Sequence, residues 1–215
     1  MTSGGRELLK WLALVLMTGD HVLKVFGLGY VPVVSEVGRV AFPVFALVMA
    51  YNLAQPGADA AKSARRLLLW GVVATPVAVL AFGQWLPLNV LLTFAVAAGV
   101  AWAIERRKWG IVILLAVLAP TVLDYGWPGV WLVLAGWWWY RGQGRHPWPV
   151  WFCMGLLCLY NGNVWALLAI PLLRLGHLNV RVPRSGRVFY GYYVAHLAVL
   201  AGVVAFAGGS TALLG

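Results

Sequence analysis

Three residues near the start of the chain are of types, and at a spacing, that could do chemistry together. Lys10 and His21 are separated by ten mostly apolar residues, and Asp20 stands beside the histidine. On an α-helix that step turns about 1100°, three turns plus roughly 20°, and rises about 16 Å, so the two side chains share a face. Charge inside an apolar stretch is costly and marks a site, here with a base at one boundary and an imidazole well inside. An imidazole so placed acts as a general base or as a nucleophile. Asp20 points about 100° away from His21 and is suited to anchor a basic group on another helix.

Other polar residues fall at matching depths. The segment Gly38-Arg39-Val40-Ala41-Phe42-Pro43 offers Arg39, read either as a snorkelling side chain or as the ion-pair partner of Asp20 or of an anionic ligand group. Near the other end of the chain, Phe189-Tyr190-Gly191-Tyr192-Tyr193-Val194-Ala195-His196 puts Tyr192 and Tyr193 on the face of His196. His196 lies at nearly the depth of His21, so two histidines from the first and last helices converge on one polar centre. Asn89 and Thr93 form an i, i+4 pair that either lines the same cavity or bridges helices by hydrogen bonds. Lys62, Arg65 and Arg66 flank a third apolar segment, where they could receive phosphates. Asp124, Asn161 and Asn163 read as turn and cap residues and are left outside the site. Cys153 and Cys158 read as small core residues, and neither a disulfide nor a metal site is indicated.

The elements that position these groups follow from composition. With 62% hydrophobic and only 10% charged residues, the chain is excluded from the ordinary soluble class, in which about 25% are charged. The expectation is an all-α, polytopic integral membrane helical bundle forming one domain over residues 1–215. Apolar segments centre on 8–26, 37–54, 66–83, 87–104, 109–123, 128–140, 147–160, 163–173 and 188–207, giving about nine transmembrane helices. Pro147, Pro149 and Pro171 mark the shorter ones as tilted, re-entrant or broken.

On this count, of the 16 Lys and Arg residues only Lys24 and Arg39 fall on one side. The other side, with Arg6, Lys10, Arg145 and Arg187 among its charges, is then cytoplasmic and holds the N-terminus. The net charge of +10 is scattered over short loops, which fits topogenesis and contact with the lipid bilayer rather than nucleic acid.

The segments from Leu9-Lys10 through Gly19-Asp20-His21, Gly38 to Phe45, Leu88 to Thr93 and Phe189 to Leu197 together resemble the TraX family over nearly the whole chain. That family is associated with N-terminal acetylation of pilin subunits. It is related to the membrane acyltransferases, whose first helix carries a basic residue, ten intervening positions and a histidine. One departure is Tyr193-Val194-Ala195-His196, where the family pattern has a proline near the histidine.

The resemblance implies an acetyltransferase of the bacterial inner membrane, with acetyl-CoA as co-substrate and a pilin or other membrane-associated acceptor as partner. The Lys10 to His21 rise is close to the reach of an extended coenzyme A arm. His21, Asp20, His196 and Tyr193 would then be catalytic, and Lys10, Arg39, Arg65, Arg66, Asn89, Thr93 and Tyr192 would bind the cofactor. The competing class is a small proton-coupled transporter or channel with an intramembrane Asp/His/Arg centre, against which stand the lack of an inverted repeat and the one-sided basic mouth.

Overall fold

The computed structural model describes residues 1–142, 146–186 and 188–212, so Arg145 and Arg187 of the charge count lie outside the described residues. Among the described residues the chain is all-helical, with one isolated bridge between Leu88 and Leu123. Helix α1 spans Ser3–Val25 and is started by Thr2, whose hydroxyl accepts the Gly5 N–H at 2.9 Å. The same hydroxyl donates to the Leu178 carbonyl at 2.6 Å, tying the start of α1 to a distant segment. Gly5 permits that approach, because a Cβ there would sit 2.4 Å from the Gly176 carbonyl oxygen.

Helices α2 (Val34–Leu53), α3 (Ala60–Phe82) and α4 (Val90–Glu105) follow, with Asp59 capping α3 and Asn89 capping α4. The segment 109–123, read from sequence as one span, is instead broken. Helix α5 covers only Trp109–Ile113 before a wide π turn over Leu114–Leu118 and a tight 3-10 turn over Ala119–Val122. Pro120 has no N–H to continue the ladder. The carbonyls of Ala116 and Val117 accept the indole N–H groups of Trp131 and Trp127 at 3.0 and 2.9 Å, which is how irregular backbone is tolerated at membrane depth.

Helices α6 (Gly126–Tyr140) and α7 (Trp148–Asn161) come next. Helix α8 (Ala169–Leu172) contains Pro171 and is flanked by 3-10 turns Trp165–Leu168 and Leu173–His177, before α9 (Val188–Ala212) closes the fold.

Helix α2 is the central pillar, packed on α1 and α6, while α3 packs on α4 and α9, and α6 on α7. Val40, Val44, Leu47 and Val48 of α2 are fully buried among Val100, Val130 and Val133. Large apolar side chains such as Leu69, Leu80 and Leu159 instead face outward, an exterior suited to lipid and not to water. Helices α2, α3 and the Val188–Phe206 stretch of α9 are long and apolar enough to cross a membrane. The others are shorter than the roughly 20 residues a perpendicular span needs, or, like α1, carry several charges.

Candidate functional site

Helices α1 and α9 bring the two histidines into contact: Nδ1 of His21 lies 2.8 Å from Nε2 of His196, with the rings stacked at 5.1 Å between centroids. The direction of that bond follows from the next one. His196 Nδ1 is 2.9 Å from the Tyr192 carbonyl oxygen, and a carbonyl only accepts, so this nitrogen carries the hydrogen. In the neutral ring Nε2 of His196 is therefore an acceptor, and His21 Nδ1 donates to it. His21 is left with its lone pair on Nε2, the tautomer needed for a base or nucleophile. Tyr193 is buried edge-on to both imidazoles, 6.1 and 5.6 Å between centroids. Tyr192 stacks on His196, and its hydroxyl is 2.9 Å from that of Thr18. Because Thr18 donates its own hydrogen to the Leu14 carbonyl, Tyr192 is the donor in this tie between α9 and α1.

Of the alternatives read from the sequence for Arg39, the ion pair with Asp20 is not formed. The Asp20 carboxylate pairs with Lys24 at 2.6 Å, one turn along the same helix, where side chains four residues apart meet. Asp20 is buried against Gly38 of α2, where a Cβ would lie 2.8 Å from the Asp20 Cβ. Only glycine lets α1 and α2 close at that point. Arg39 is half-buried, makes no ion pair among the described residues and lies within electrostatic range of Asp124, Tyr125 and Tyr160.

Two cavities adjoin this centre. The larger, about 300 Å³, has Lys10, Asn52, Ser63 and Arg66 as its polar lining, and Leu14, Met17, Phe94 and Tyr193 among its apolar and aromatic one. The smaller, about 40 Å³, is lined by Asp20, His21, Lys24, Asp124 and Tyr125. Met17, Phe45, Val90 and Phe94 line both and so form the wall between them.

Lys10 Nζ is held 2.7 Å from Glu7 and lies over the Phe189 ring at 4.7 Å. Glu7 is buried and also accepts from the Ser185 hydroxyl at 2.7 Å and its N–H at 3.3 Å. Arg66 lies over the Tyr190 ring, whereas Arg65 is exposed and lines neither cavity. Asn89 accepts the Leu91 N–H and donates to the Gly71 carbonyl and the Thr75 hydroxyl, at 2.9 and 3.0 Å. Thr93 is fully buried and donates to the Asp124 carbonyl at 2.7 Å. Both use their polar atoms between helices and line neither cavity.

Sequence reasoning missed Glu7 and Asp124. Asp124 was read as a turn residue, and it does accept the Tyr125 N–H at 3.0 Å, but it also lines the small cavity. The one available signal for Glu7 was an acid three residues before the lysine.

Comparison with known proteins adds an identity to this geometry. A family model described as TraX protein matches residues 5–204. Two relatives from Escherichia coli, each named Protein TraX and one from strain K12, are 32% and 30% identical over 94% of this chain and 88% of their own. An uncharacterized protein of Rickettsia prowazekii is 26% identical over 56% of this chain and 50% of its own length. No solved structure matches.

Proposed function

The chain belongs to the TraX family, and from that premise we propose that it is a membrane-embedded acetyltransferase acting in pilin processing. It moves an acetyl group from cytosolic acetyl-CoA to the N-terminal amine of a pilin subunit at the outer side of a bacterial inner membrane. In this reading the chain crosses the bilayer about nine times as a single domain, with its N-terminus in the cytoplasm. The cofactor's phosphates meet Lys10 and Arg66, with Arg65 adding charge at the entrance, and the pantetheine arm runs along the larger cavity towards Tyr193.

The observation that carries the reading is the hydrogen-bonded run from the Tyr192 carbonyl through His196 to His21, which leaves a lone pair on His21 Nε2. That nitrogen either takes a proton from the neutral acceptor amine as it attacks the thioester, or accepts the acetyl group and passes it on to the amine. In both versions the thioester C–S bond breaks, a new C–N bond forms, and the proton removed from the amine ends on the coenzyme A thiolate. In this reading the Tyr193 hydroxyl donates to the oxyanion that develops on the thioester carbonyl. Asp20 and Lys24 hold α1 in register against Gly38, and Arg39 and Asp124 bound the side from which the acceptor arrives.

The test is acetyl transfer by detergent-purified protein from acetyl-CoA to a synthetic apolar peptide with a free N-terminal amine, read by mass spectrometry. Acetylated peptide from the wild type and a rate at least about a hundredfold lower from His21→Ala that still binds acetyl-CoA is the expected result. Undiminished activity in His21→Ala, or no acetyl-CoA binding by folded wild type, overturns the proposal.

A further inference from the structure

The larger cavity, into which Lys10 and Arg66 would draw a thioester donor, is not lined by His21. Of the two cavities the histidine lines the small one, on the far side of Met17, Phe45, Val90 and Phe94. Resting on the acyl-transfer reading, we propose that these four side chains are an acyl-length selector, admitting a two-carbon group to His21 and excluding longer chains.

Three observations carry this. The first is size. A cavity of about 40 Å³, against about 300 Å³ for its neighbour, has room for a few water-sized groups at roughly 10–15 Å³ each, which suits a two-carbon acyl group better than a longer chain. The second is polarity. Beyond the wall an extended alkyl chain would run onto Asp20, Lys24 and Asp124, polar groups to which it offers no hydrogen bonds. The third is stiffness. Phe94 is buried and stacks on Phe42 at 5.5 Å, and Phe42 stacks on Tyr125 at 3.8 Å. The wall therefore continues into a column of three stacked rings that all line the small cavity, and close-packed aromatic groups do not make room for an extra methylene at low cost.

In the reaction the acyl carbon passes between these side chains to within bonding distance of His21 Nε2 or of the acceptor nitrogen. The C–S bond breaks there, the C–N bond forms, and the thiolate left on the donor side of the wall takes the amine proton from His21 Nε2. The selector acts on the acyl group alone, because the coenzyme A portion stays in the larger cavity whatever its cargo.

The experiment is a competition between acetyl-CoA, butyryl-CoA and hexanoyl-CoA for transfer to an apolar peptide with a free N-terminal amine. It uses the full-length protein in detergent, with product masses as the readout. The wild type is expected to transfer acetyl groups over butyryl by at least tenfold, the discrimination that extra methylenes give in a tight pocket. Met17→Ala and Phe45→Leu, both at half-buried wall positions, should raise the butyryl-to-acetyl ratio about tenfold, a ratio taken within one variant and so independent of how tightly that variant holds the coenzyme A portion common to both donors. If one variant fails to fold, the other decides.

A wild type that transfers butyryl and acetyl at parity, or folded variants with an unchanged ratio, overturns the selector while acyl transfer stands. A folded wild type that transfers no acyl group from any donor overturns the acyl-transfer reading and the selector with it.

Discussion

Helix α1 carries two ion pairs of the same kind, Glu7 with Lys10 and Asp20 with Lys24, each an acid followed by a base about one turn later. Their surroundings make them different instruments. At the first, the base lines a cavity of about 300 Å³ and the acid is held by Ser185. At the second, the acid is buried against Gly38 and the cavity beside it is about 40 Å³. A charge facing a large space can exchange its partner for a ligand group. A charge wedged between two helices fixes their spacing. The comparison teaches that two acid–base pairs on one helix are set apart by the room each is given, not by residue type; in the proposed function the first is the binding end and the second the reacting end.

The largest effects should come from the reacting end. His21→Ala is expected to lower the rate of acetyl transfer by about 10²- to 10⁴-fold, the range for loss of a positioned proton-transfer group, with acetyl-CoA affinity unchanged in a binding titration. In the proposed function His196 positions His21, and its variants separate packing from hydrogen bonding. His196→Gln keeps an acceptor for the His21 Nδ1 hydrogen and should retain more activity than His196→Leu, which offers none. Equal losses in the two would mean that the 2.8 Å contact does not set the tautomer of His21.

Next in size is the helix contact itself. Gly38→Val puts carbon where the Asp20 Cβ already lies 2.8 Å from an ideal Cβ, and overpacking of this kind costs about 1–3 kcal/mol. Thermal unfolding in detergent should show the loss, and activity should fall with it because His21 moves with α1. The equivalent change at an uncrowded glycine such as Gly155, whose Cβ would meet nothing, should leave both nearly untouched.

Much of this was legible in the sequence, and the rest was not for identifiable reasons. Composition alone dictated an all-helical chain with an apolar exterior. Helical arithmetic placed Lys10 on the His21 face and Tyr192 and Tyr193 around His196, because those relations lie within single helices. The partner of Asp20 depended on a competition between Lys24 and Arg39, and the nearer base on the same helix prevailed. Glu7 is explained by Ser185, 178 residues away, a distance over which no local pattern speaks. The break in 109–123 needed Trp127 and Trp131 from the next helix to satisfy its carbonyls. Asn89 looked like a residue within α4 because its segment is uniformly apolar, yet its side chain accepts the Leu91 N–H and so begins the helix one residue later.

The smallest expected effects lie at the binding end, and there the sign is the test. Lys10 is held by Glu7 at 2.7 Å, with side-chain exposures of 20% and 10%. If Lys10 receives a phosphate, it must exchange one anionic partner for another, so the carboxylate competes with the ligand. Lys10→Ala should then raise the KM for acetyl-CoA, by up to about tenfold for one charged hydrogen bond. Glu7→Gln should lower it by a few-fold at most, given roughly 0.2–1 kcal/mol for a pair still reached by solvent. Glutamine can still accept from Ser185, so the tie between α1 and the segment before α9 is retained in that variant. If both substitutions weaken acetyl-CoA binding, Glu7 serves to position Lys10 instead of competing with the ligand, and the Lys10 end resembles the Asp20 end more than its larger cavity suggests.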